Sequence, residues 1–435
     1  MSIDEYRQHR AALIERIGPE AVAIVPAARE TERNRGVNHP FRQDSDFRYL
    51  TGFPEPDAIA VIVPGRAEGE FVLFCRERDP EREQWHGRRI GAEGAVTAYG
   101  ADQAHPLSAL DQMLPELLVG RTRLHYPIGE DSNLDTRIHD WLGRARASTR
   151  GTAPVPETQT RLGATLHELR LHKRPAEIAL MRRAAEISAA AHRALMRRCR
   201  PGLPELALEA EFQYRCADAG ARFQAYPPIV AGGSNACILH YTENDALLRD
   251  GELVLIDAGG EFEGYAADIT RTFPVNGRFS TPQRELYDLV LESQYAAIAA
   301  ARPGASVDAP HQAALAVLTR GLVRLGILEG DPETLLQEGA YRPYYMHRTG
   351  HWLGLDVHDV GRYRDRDGTW RALEPGMVIT VEPGLYLPDE AGIPIAYRGI
   401  GIRIEDDVLI TGDGHEVLTA AAPKSPEDIE ALMAS

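Results

Sequence analysis

Two aspartates in the middle of the chain have the residue type and spacing of metal ligands. Asp257 closes the apolar run Leu253–Asp257, and Asp268 follows eleven positions later within Tyr265–Phe273, a segment rich in strand formers. The glycine pair between the two runs predicts a hairpin that brings both carboxylates together. Because buried acids need a compensating cation, this hairpin favours a divalent metal. On this stretch alone, a turn role for Asp257 and an ion pair between Asp268 and Arg271 explain the residues equally well.

Three further residues of the C-terminal half join these acids at strand-like sequence. The complete set is Asp257, Asp268, His351, Glu382 and Glu405. Four carboxylates and one imidazole suit Mn²⁺, Co²⁺ or Zn²⁺. Four carboxylates also balance two divalent ions, whereas a single ion leaves about two negative charges buried without compensation. Because two ions about 3.5–4 Å apart can share a hydroxide that acts as nucleophile, the set predicts a two-metal hydrolytic site.

The elements that carry these residues occur twice in the same order. Each copy reads helix, Arg-Pro-Gly, helix, histidine-bearing segment, and a glycine-led apolar strand that closes on an acid and a glycine. The predicted helices are 174–200 and Pro204–Ala219 in the first copy, and Tyr287–Ala301 and Ser306–Leu325 in the second. The repetition predicts a pseudo-symmetric α+β domain in which Asp257 and Glu382 are counterparts. Singly, each candidate ligand has a structural alternative, such as an ion pair between Glu405 and Arg403.

The first 170 residues have a different pattern, in which short apolar runs alternate with helix-like stretches. The apolar runs are Ala21–Val25, Ala58–Val63 and Glu70–Phe74, and the helix-like stretches are Glu5–Ile17, Ala104–Leu118 and Leu134–Arg146. This pattern predicts an α/β unit with its own sheet. No glycine-rich phosphate-binding motif follows these strands, so nucleotide binding has no support. A loose segment with glycine and prolines, 148–158, precedes the predicted boundary between domains 1–170 and 171–435.

Composition excludes several functional classes. The formal net charge of −16 argues against nucleic-acid binding, which needs a basic surface. No run approaches the roughly 18 apolar residues of a membrane span, and the charged N-terminus has no signal-peptide core. We therefore expect a soluble cytoplasmic protein with small or peptidic partners. The four cysteines form no Cys-x-x-Cys pair, which predicts reduced thiols and neither a disulfide framework nor a zinc knuckle.

Several segments resemble the pita-bread metallopeptidases, the family of methionine aminopeptidase, prolidase and aminopeptidase P. In the C-terminal half these segments are the Asp257 and Asp268 pair, His347–Gly361, Val381–Gly384 and Ile402–Glu405. In the N-terminal half Phe41–Asp57 and Glu83–Gly87 are similar to aminopeptidase P. The resemblance covers nearly the whole chain. It implies a pita-bread catalytic domain at 171–435 and an aminopeptidase P type α/β domain at 1–170.

The resemblance also implies an activity and a metal arrangement. The implied activity is that of a dimetal-dependent Xaa-Pro aminopeptidase, which hydrolyses the N-terminal Xaa-Pro bond of peptides through a metal-bridging hydroxide. Asp268 and Glu405 are implied to bridge the two ions, with Asp257 on one ion and His351 and Glu382 on the other. Mn²⁺ is the expected metal, with Co²⁺ and Zn²⁺ as alternatives.

Four residues are implied to act beside the metals. Glu382 would shuttle the proton of the nucleophile to the leaving nitrogen. His240 and His358 would hold the substrate and its tetrahedral intermediate, since imidazole N–H groups can stabilise an oxyanion. Arg403 is predicted to orient Glu405 without binding a metal itself.

A proline site has to recognise the shape of a ring. The leaving nitrogen of an Xaa-Pro bond is tertiary and has no N–H, so the site cannot use that hydrogen for recognition. Tyr226, His347, Tyr386 and Trp85 are the candidates for the proline pocket. The resemblance implies that Trp85 acts on the cleft of a neighbouring subunit, in a homo-oligomer such as a dimer or tetramer.

Three other functions are compatible with the same fold. Prolidase, an Xaa-Pro dipeptidase, has the same metal site and differs in how the cleft accommodates residues beyond proline. A non-catalytic binding module can also use this fold, as can a metal-free hydrolase of the creatinase type. Both of the latter are disfavoured because all five candidate ligands are present.

Overall fold

The computed structural model describes all 435 residues and divides into two compact units, Met1–Arg170 and Leu171–Ser435. The first unit contains α1 (Ile3–Ile17), β1 (Ala21–Pro26), β2 (Glu32–Asn34), β3 (Val37–Asn38), α2 (Ser45–Thr51), β4 (Ile59–Ile62), β5 (Phe71–Cys75), α3 (Pro80–His86), α4 (Gly91–Tyr99), β6 (Gln103–Pro106), α5 (Leu110–Leu118), β7 (Arg123–Tyr126), α6 (Ser132–Thr149) and β8 (Thr158–Arg161), and α7 (Gly163–Leu171) contains the boundary.

The second unit begins with two helices and continues with alternating groups of strands and helices. Its elements are α8 (Pro175–Arg198), α9 (Glu205–Asp218), β9 (Phe223–Gln224), β10 (Ile229–Gly232), β11 (Leu253–Asp257), β12 (Gly260–Phe262), β13 (Tyr265–Ala266), β14 (Thr270–Pro274), α10 (Thr281–Ala300), α11 (Ala309–Arg324), α12 (Pro332–Glu338), β15 (Val378–Val381), β16 (Gly384–Leu387), β17 (Ile400–Arg403), β18 (Asp406–Ile410), β19 (His415–Val417) and α13 (Pro426–Met433).

Six strands of the first unit form one mixed sheet in the order β6-β5-β4-β1-β7-β8. Strands β1, β4 and β5 are buried over nearly their whole length, as near-continuous apolar runs require, and they confirm the three predicted strands. Helices α1 and α6 likewise confirm two predicted helices. The helix predicted to begin at Ala104 is wrong in its first turn. Residues 103–106 form β6, which pairs in parallel with β5, and α5 begins only at Leu110, beyond Pro106.

The second unit contains both predicted helix pairs, α8 with α9 and α10 with α11. Helix α8 packs its predicted face inward, with Met181, Ala185 and Leu195 buried. Helix α10 begins at Thr281, six residues before the predicted start at Tyr287. The sequence signal for the earlier start is a capping box, in which Ser280 and Gln283 exchange side-chain and backbone hydrogen bonds.

The strands of the second unit repeat one arrangement of acids. Strand β11 is antiparallel to β14, with Asp257 opposite Thr270, and β15 is antiparallel to β18, with Val381 opposite Asp406. In the first pair Asp257 lies at the end of β11 and Asp268 shortly before β14. In the second pair Glu382 directly follows β15 and Glu405 directly precedes β18. The backbone N–H of Glu405 donates to the carbonyl of Thr270 at 3.1 Å, so the two strand pairs meet at their acidic ends. The strands β12 and β13 lie between Asp257 and Asp268 within the predicted hairpin.

Two predictions from composition can be compared with the fold. All four cysteines are free, and three of them are buried, which confirms the expectation of reduced thiols. None of the helices has the length and apolar character needed to cross a lipid bilayer.

The turn after β11 provides a test of the fold at Gly259. A Cβ atom added there would lie 1.7 Å from the carbonyl oxygen of Ala267, which belongs to the backbone and cannot rotate away. We expect Gly259→Ala to lower the free energy of unfolding by about 1–3 kcal/mol, since the backbone segments next to Asp257 and Asp268 must separate. Calorimetric unfolding measures the effect. Gly412→Ala is the control, because an added Cβ there meets nothing within 4 Å, and an equal loss in both variants would contradict the packing described.

Candidate functional site

A cleft of about 1130 Å³ opens in the second unit, and every lining residue belongs to that unit. The lining includes Tyr226, His240, Asp257, Asp268, His347, His351, His358, Glu382, Arg403 and Glu405. Thus the structure brings together ten of the twelve residues singled out from the sequence. Tyr386 is buried behind the lining, with 1% of its surface exposed, and Trp85 is a residue of the first unit with 79% exposed.

Three of the candidate ligands already lie at the separation that a metal ion requires. The donor atoms of Asp268, His351 and Glu405 are all within 4.8 Å of one another. The Nε2 atom of His351 is 3.5 Å from Asp268 Oδ2 and 3.7 Å from Glu382 Oε1. A single histidine nitrogen therefore faces carboxylates from both halves of the duplicated domain.

The orientation of the His351 ring is fixed by its other nitrogen. Nδ1 lies 2.9 Å from the carbonyl oxygen of Trp352, and a carbonyl can only accept, so Nδ1 carries the proton. This leaves Nε2 as the nitrogen that faces Asp268 and Glu382. A metal-ligating histidine commonly has this arrangement, in which the nitrogen away from the metal donates to a carbonyl.

Burial and neighbouring negative charge raise the pKa values of two of the acids, Glu382 and Glu405. Burial, together with the charges of Asp268 and Glu382, raises the pKa of Glu405 well above its ordinary value. Burial, reinforced by Asp268 and Asp257, raises the pKa of Glu382 to about 7 despite the opposing effect of His351. Burial lowers the pKa of His351, but the hydrogen bond to Asp268 and the charge of Glu382 override it and raise that pKa to about 9.

These shifts test whether the donor set fits a metal. The raised pKa values of Glu382 and Glu405 mean that added positive charge would favour their ionised forms, and the raised pKa of His351 reflects the negative charge around it. Divalent cations supply that charge through oxygen donors of the kind found in this cleft. The residues present therefore fit metal ions, and the oxygen-rich set with one imidazole suits Mn²⁺, Co²⁺ or Zn²⁺.

Asp257 is held by two neighbours in the cleft. The hydroxyl of Tyr226 donates to Asp257 Oδ1 at 2.6 Å and also contacts Asp268 Oδ1. Burial and the charges of both aspartates raise the pKa of Tyr226 well above its ordinary value, so the phenol keeps its proton. The Nη2 atom of Arg403 donates to Asp257 Oδ2 at 2.5 Å. The sequence signal for Tyr226 was its aromatic character alone, which gave no indication of these hydrogen bonds.

Arg403 forms its ion pair with Asp257, so the ion pair between Arg403 and Glu405 that was the structural alternative for Glu405 is not formed. Arg403 lies on β17, whose strand partner is β16. Two residues later the backbone pairs with a different strand, since the N–H of Glu405 donates to the carbonyl of Thr270 on β14. The guanidinium therefore turns to Asp257. It reaches Glu405 only through Thr270, whose hydroxyl accepts from Arg403 Nε at 3.2 Å and donates to Glu405 Oε2 at 2.6 Å.

Sequence reasoning missed two threonines that hold ligands. Thr270 follows Asp268 by two positions and contacts Glu405. Thr380 precedes Glu382 by two positions, and its hydroxyl lies 3.4 Å from Glu382 Oε1 and accepts from the backbone N–H of His351 at 3.1 Å. Because residues two apart share a face of a strand, the period of two was a usable signal for both threonines.

Arg271 is not a partner of Asp268. Its guanidinium is fully buried and donates to Asp406 at 2.7 Å and to the backbone carbonyls of Thr270, Ala422 and Pro423. The ion-pair alternative from the sequence therefore fails, and both Asp268 side-chain oxygens face the cleft.

The histidines of the cleft have separate surroundings. The ring of His358 packs edge-on against that of His351, with centroids 4.3 Å apart, and burial next to His351 lowers the pKa of His358. His240 is an exposed residue of the lining. Nε2 of His347 lies 2.8 Å from the Tyr386 hydroxyl, which accepts from Arg403 Nη1 at 2.9 Å. Burial and Arg403 lower the pKa of His347 to about 3, so this ring is neutral.

The sequence matches two protein-family models. Metallopeptidase family M24 matches residues 179–412, and the aminopeptidase P N-terminal domain matches residues 6–125. The chain is 48% identical to the Xaa-Pro aminopeptidase of Escherichia coli strain K12 over 435 residues, which are 100% of this chain and 98% of that protein.

Solved structures agree with these matches. Aminopeptidase PepP of Pseudomonas aeruginosa has a TM-score of 0.98 at 53% identity, and zinc-substituted aminopeptidase P of Escherichia coli in complex with product has a TM-score of 0.96 at 47% identity. Each comparison covers 100% of this chain and 98% of the other. The matches confirm the resemblance and the predicted fold class.

Thr270→Val tests the link between Arg403 and Glu405. The substitution keeps the shape of the side chain and removes its hydroxyl, which leaves a buried donor and a buried acceptor without this partner. We expect the free energy of unfolding to fall by about 1–3 kcal/mol. Thr319→Val is the matched control, because the buried Thr319 hydroxyl has no hydrogen-bond partner, and its removal should be neutral or stabilising. Equal denaturation midpoints for the two variants would contradict the link.

Proposed function

The chain belongs to metallopeptidase family M24, and from that premise we propose that it is an aminopeptidase that releases the N-terminal residue from peptides with proline in second position. The proposal depends mainly on one observation: the donor atoms of Asp268, His351 and Glu405 lie together in one cleft. The chain that forms this cleft is 48% identical to an Xaa-Pro aminopeptidase. Proline-containing peptides are the proposed substrates, and the cytoplasm is the proposed location.

Two divalent ions are proposed to occupy the cleft. Asp268 and Glu405 would hold both ions, Asp257 one of them, and His351 and Glu382 the other. When bound, the ions supply the positive charge that lowers the pKa of a water molecule and polarises the scissile carbonyl. Mn²⁺ is the proposed metal because carboxylate oxygens dominate the donor set, and Co²⁺ and Zn²⁺ are the alternatives.

Glu382 is proposed to carry the proton of the attacking water. A carboxylate beside the attacking water can accept that proton and give it to the proline nitrogen as the C–N bond breaks. Glu382 is half-buried, and the hydroxyl of Thr380 donates to its Oε1 at 3.4 Å, so its carboxylate has a defined position. His358 and His240 line the same cleft and are proposed to donate to the carbonyl oxygen as negative charge develops on it.

The proline ring is proposed to pack against Tyr226 and His347, which both line the cleft. Tyr386 was a sequence candidate for the proline pocket, and we propose a different role for it. Its hydroxyl lies between Arg403 and His347, and its side chain is buried behind the lining, so we assign it to orienting His347. Trp85 is exposed enough to reach a neighbouring subunit, and a homo-oligomer in which it completes that subunit's cleft is part of the proposal.

Metal-loaded protein should be assayed on three matched peptides. These are an Xaa-Pro-Xaa tripeptide, the Xaa-Pro dipeptide and an Xaa-Ala-Xaa tripeptide. We expect release of the first residue mainly from the proline tripeptide. Cleavage of the dipeptide alone would favour prolidase, and the absence of both turnover and bound metal would favour a binding module.

Glu382→Gln tests the assigned proton carrier. Glutamine keeps the size of the side chain but cannot accept the proton, so kcat should fall by about 10²–10⁴-fold. Bound metal is measured in the same samples by mass spectrometry, which separates a loss of proton transfer from a loss of metal. Glu390→Gln, a change at an exposed position, should keep the wild-type kcat. A Glu382→Gln enzyme with near-wild-type kcat would refute the assignment.

A further inference from the structure

Lysine is almost absent from this chain, and both of its lysines pair with buried carboxylates. The sequence has 48 basic residues other than histidine, of which only Lys173 and Lys424 are lysines. Lys173 forms a fully buried ion pair, with Nζ 2.9 Å from Asp359 Oδ2 and both side chains 1% exposed. Asp359 directly follows His358 in the sequence. One of the two lysines of this chain is therefore paired with the residue next to His358, which lines the cleft.

The segment next to this pair carries both histidines that face each other in the cleft. Between His351 and Gly361 the backbone forms no regular strand or helix. The N–H of Asp359 donates to the carbonyl of Trp352 at 2.8 Å, and the same carbonyl accepts from His351 Nδ1. One carbonyl oxygen thus joins the backbone beside His358 to the ring of His351.

The ion pair fills the space beneath this loop. A Cβ atom added at Gly354 would lie 2.2 Å from Asp359 Oδ2 and 2.9 Å from Lys173 Cε, so the loop backbone packs directly on the pair. Lys173 is anchored on its other side, because its backbone N–H donates to the carbonyl of Gly376 at 2.9 Å, shortly before β15. The pair therefore connects the histidine loop to the strand that leads to Glu382.

We propose that Lys173 is a positioning residue for the cleft, acting through Asp359 to hold His358 and the ring of His351 in place. The inference rests on the proposed function of the cleft. A buried ion pair contributes little to stability compared with apolar side chains of the same size, whereas its directional contacts define a geometry. An irregular loop that carries reacting groups needs such a fixed support.

Lys424 supplies the matched control. It also pairs with a buried carboxylate that follows a candidate ligand, since Asp406 comes directly after Glu405 and lies 2.6 Å from Lys424 Nζ. Asp406 retains a second cation when Lys424 is replaced, because Arg271 Nη2 lies 2.7 Å from Asp406 Oδ1. Lys424→Met thus removes an ammonium group from a buried carboxylate, as Lys173→Met does, but at a pair outside the 351–361 loop.

A double-mutant cycle with metal-loaded protein tests whether Lys173 acts through His358. We expect Lys173→Met to lower kcat about 10- to 100-fold, with bound metal retained and a much smaller change in KM. In a His358→Ala background the same substitution should lower kcat by a clearly smaller factor, because one of the two rings that Lys173 positions is gone. Equal fold losses in both backgrounds, or an effect no larger than that of Lys424→Met, would overturn the inference.

Stability and loop order are measured in parallel. The double variant Lys173→Met with Asp359→Asn has neither charge of the pair, and we expect it to recover thermal stability while its kcat stays low. If both the thermal stability and kcat recovered, the pair would be purely structural and the inference would be overturned. Hydrogen–deuterium exchange, which needs no substrate, should rise over 351–361 in Lys173→Met and not in Lys424→Met. Unchanged exchange there overturns the inference, whereas an inactive wild-type protein with the expected exchange overturns only the proposed function.

Discussion

Four carboxylates share one cleft, and their mutual repulsion is the constraint on which the second unit depends. Burial raises the pKa of Glu382 and of Glu405, and the imidazole of His351 responds to the same negative charge with a pKa of about 9. Such a cluster costs stability unless cations neutralise it. The phenol of Tyr226 and the guanidinium of Arg403 offset part of the charge at Asp257. Metal ions are the remaining source of compensation, and they are also the source of the chemistry.

The duplicated architecture explains why acids from four separate segments of the chain, at Asp257, Asp268, Glu382 and Glu405, lie in the same cleft. In each half, two antiparallel strands place one acid at a strand end and another before the return strand. The hydrogen bond from Glu405 to the carbonyl of Thr270 joins the halves where the acids meet. A strand end is a suitable position for a ligand, because the strand fixes its backbone while its side chain points into open space.

Residue type and spacing were sufficient to predict much of this arrangement. The helix pairs, the strands that end on Asp257 and Glu382, and the free cysteines could be predicted because each depends on local pattern. The partner of Arg403 could not be predicted. Alternation placed Arg403 beside Glu405, but the chain changes strand partner between them, and that change depends on contacts distant in sequence.

Side chains that act through intermediates were the least visible in the sequence. Thr270 relays between Arg403 and Glu405, and Tyr386 lies behind His347, so neither function follows from residue type. The role of Lys173 depends on a carboxylate 186 positions away along the chain. Such contacts are fixed by packing, and a single sequence carries no periodic signal for them.

The central claim is that the carboxylates of the two halves hold two metal ions between them. Anomalous diffraction from crystals of the Mn²⁺-loaded protein, recorded at the manganese absorption edge, measures this directly. The account predicts two peaks in the cleft, both in contact with Asp268 and Glu405, with His351 on one of them. A single peak, or peaks that do not contact both carboxylates, would contradict it.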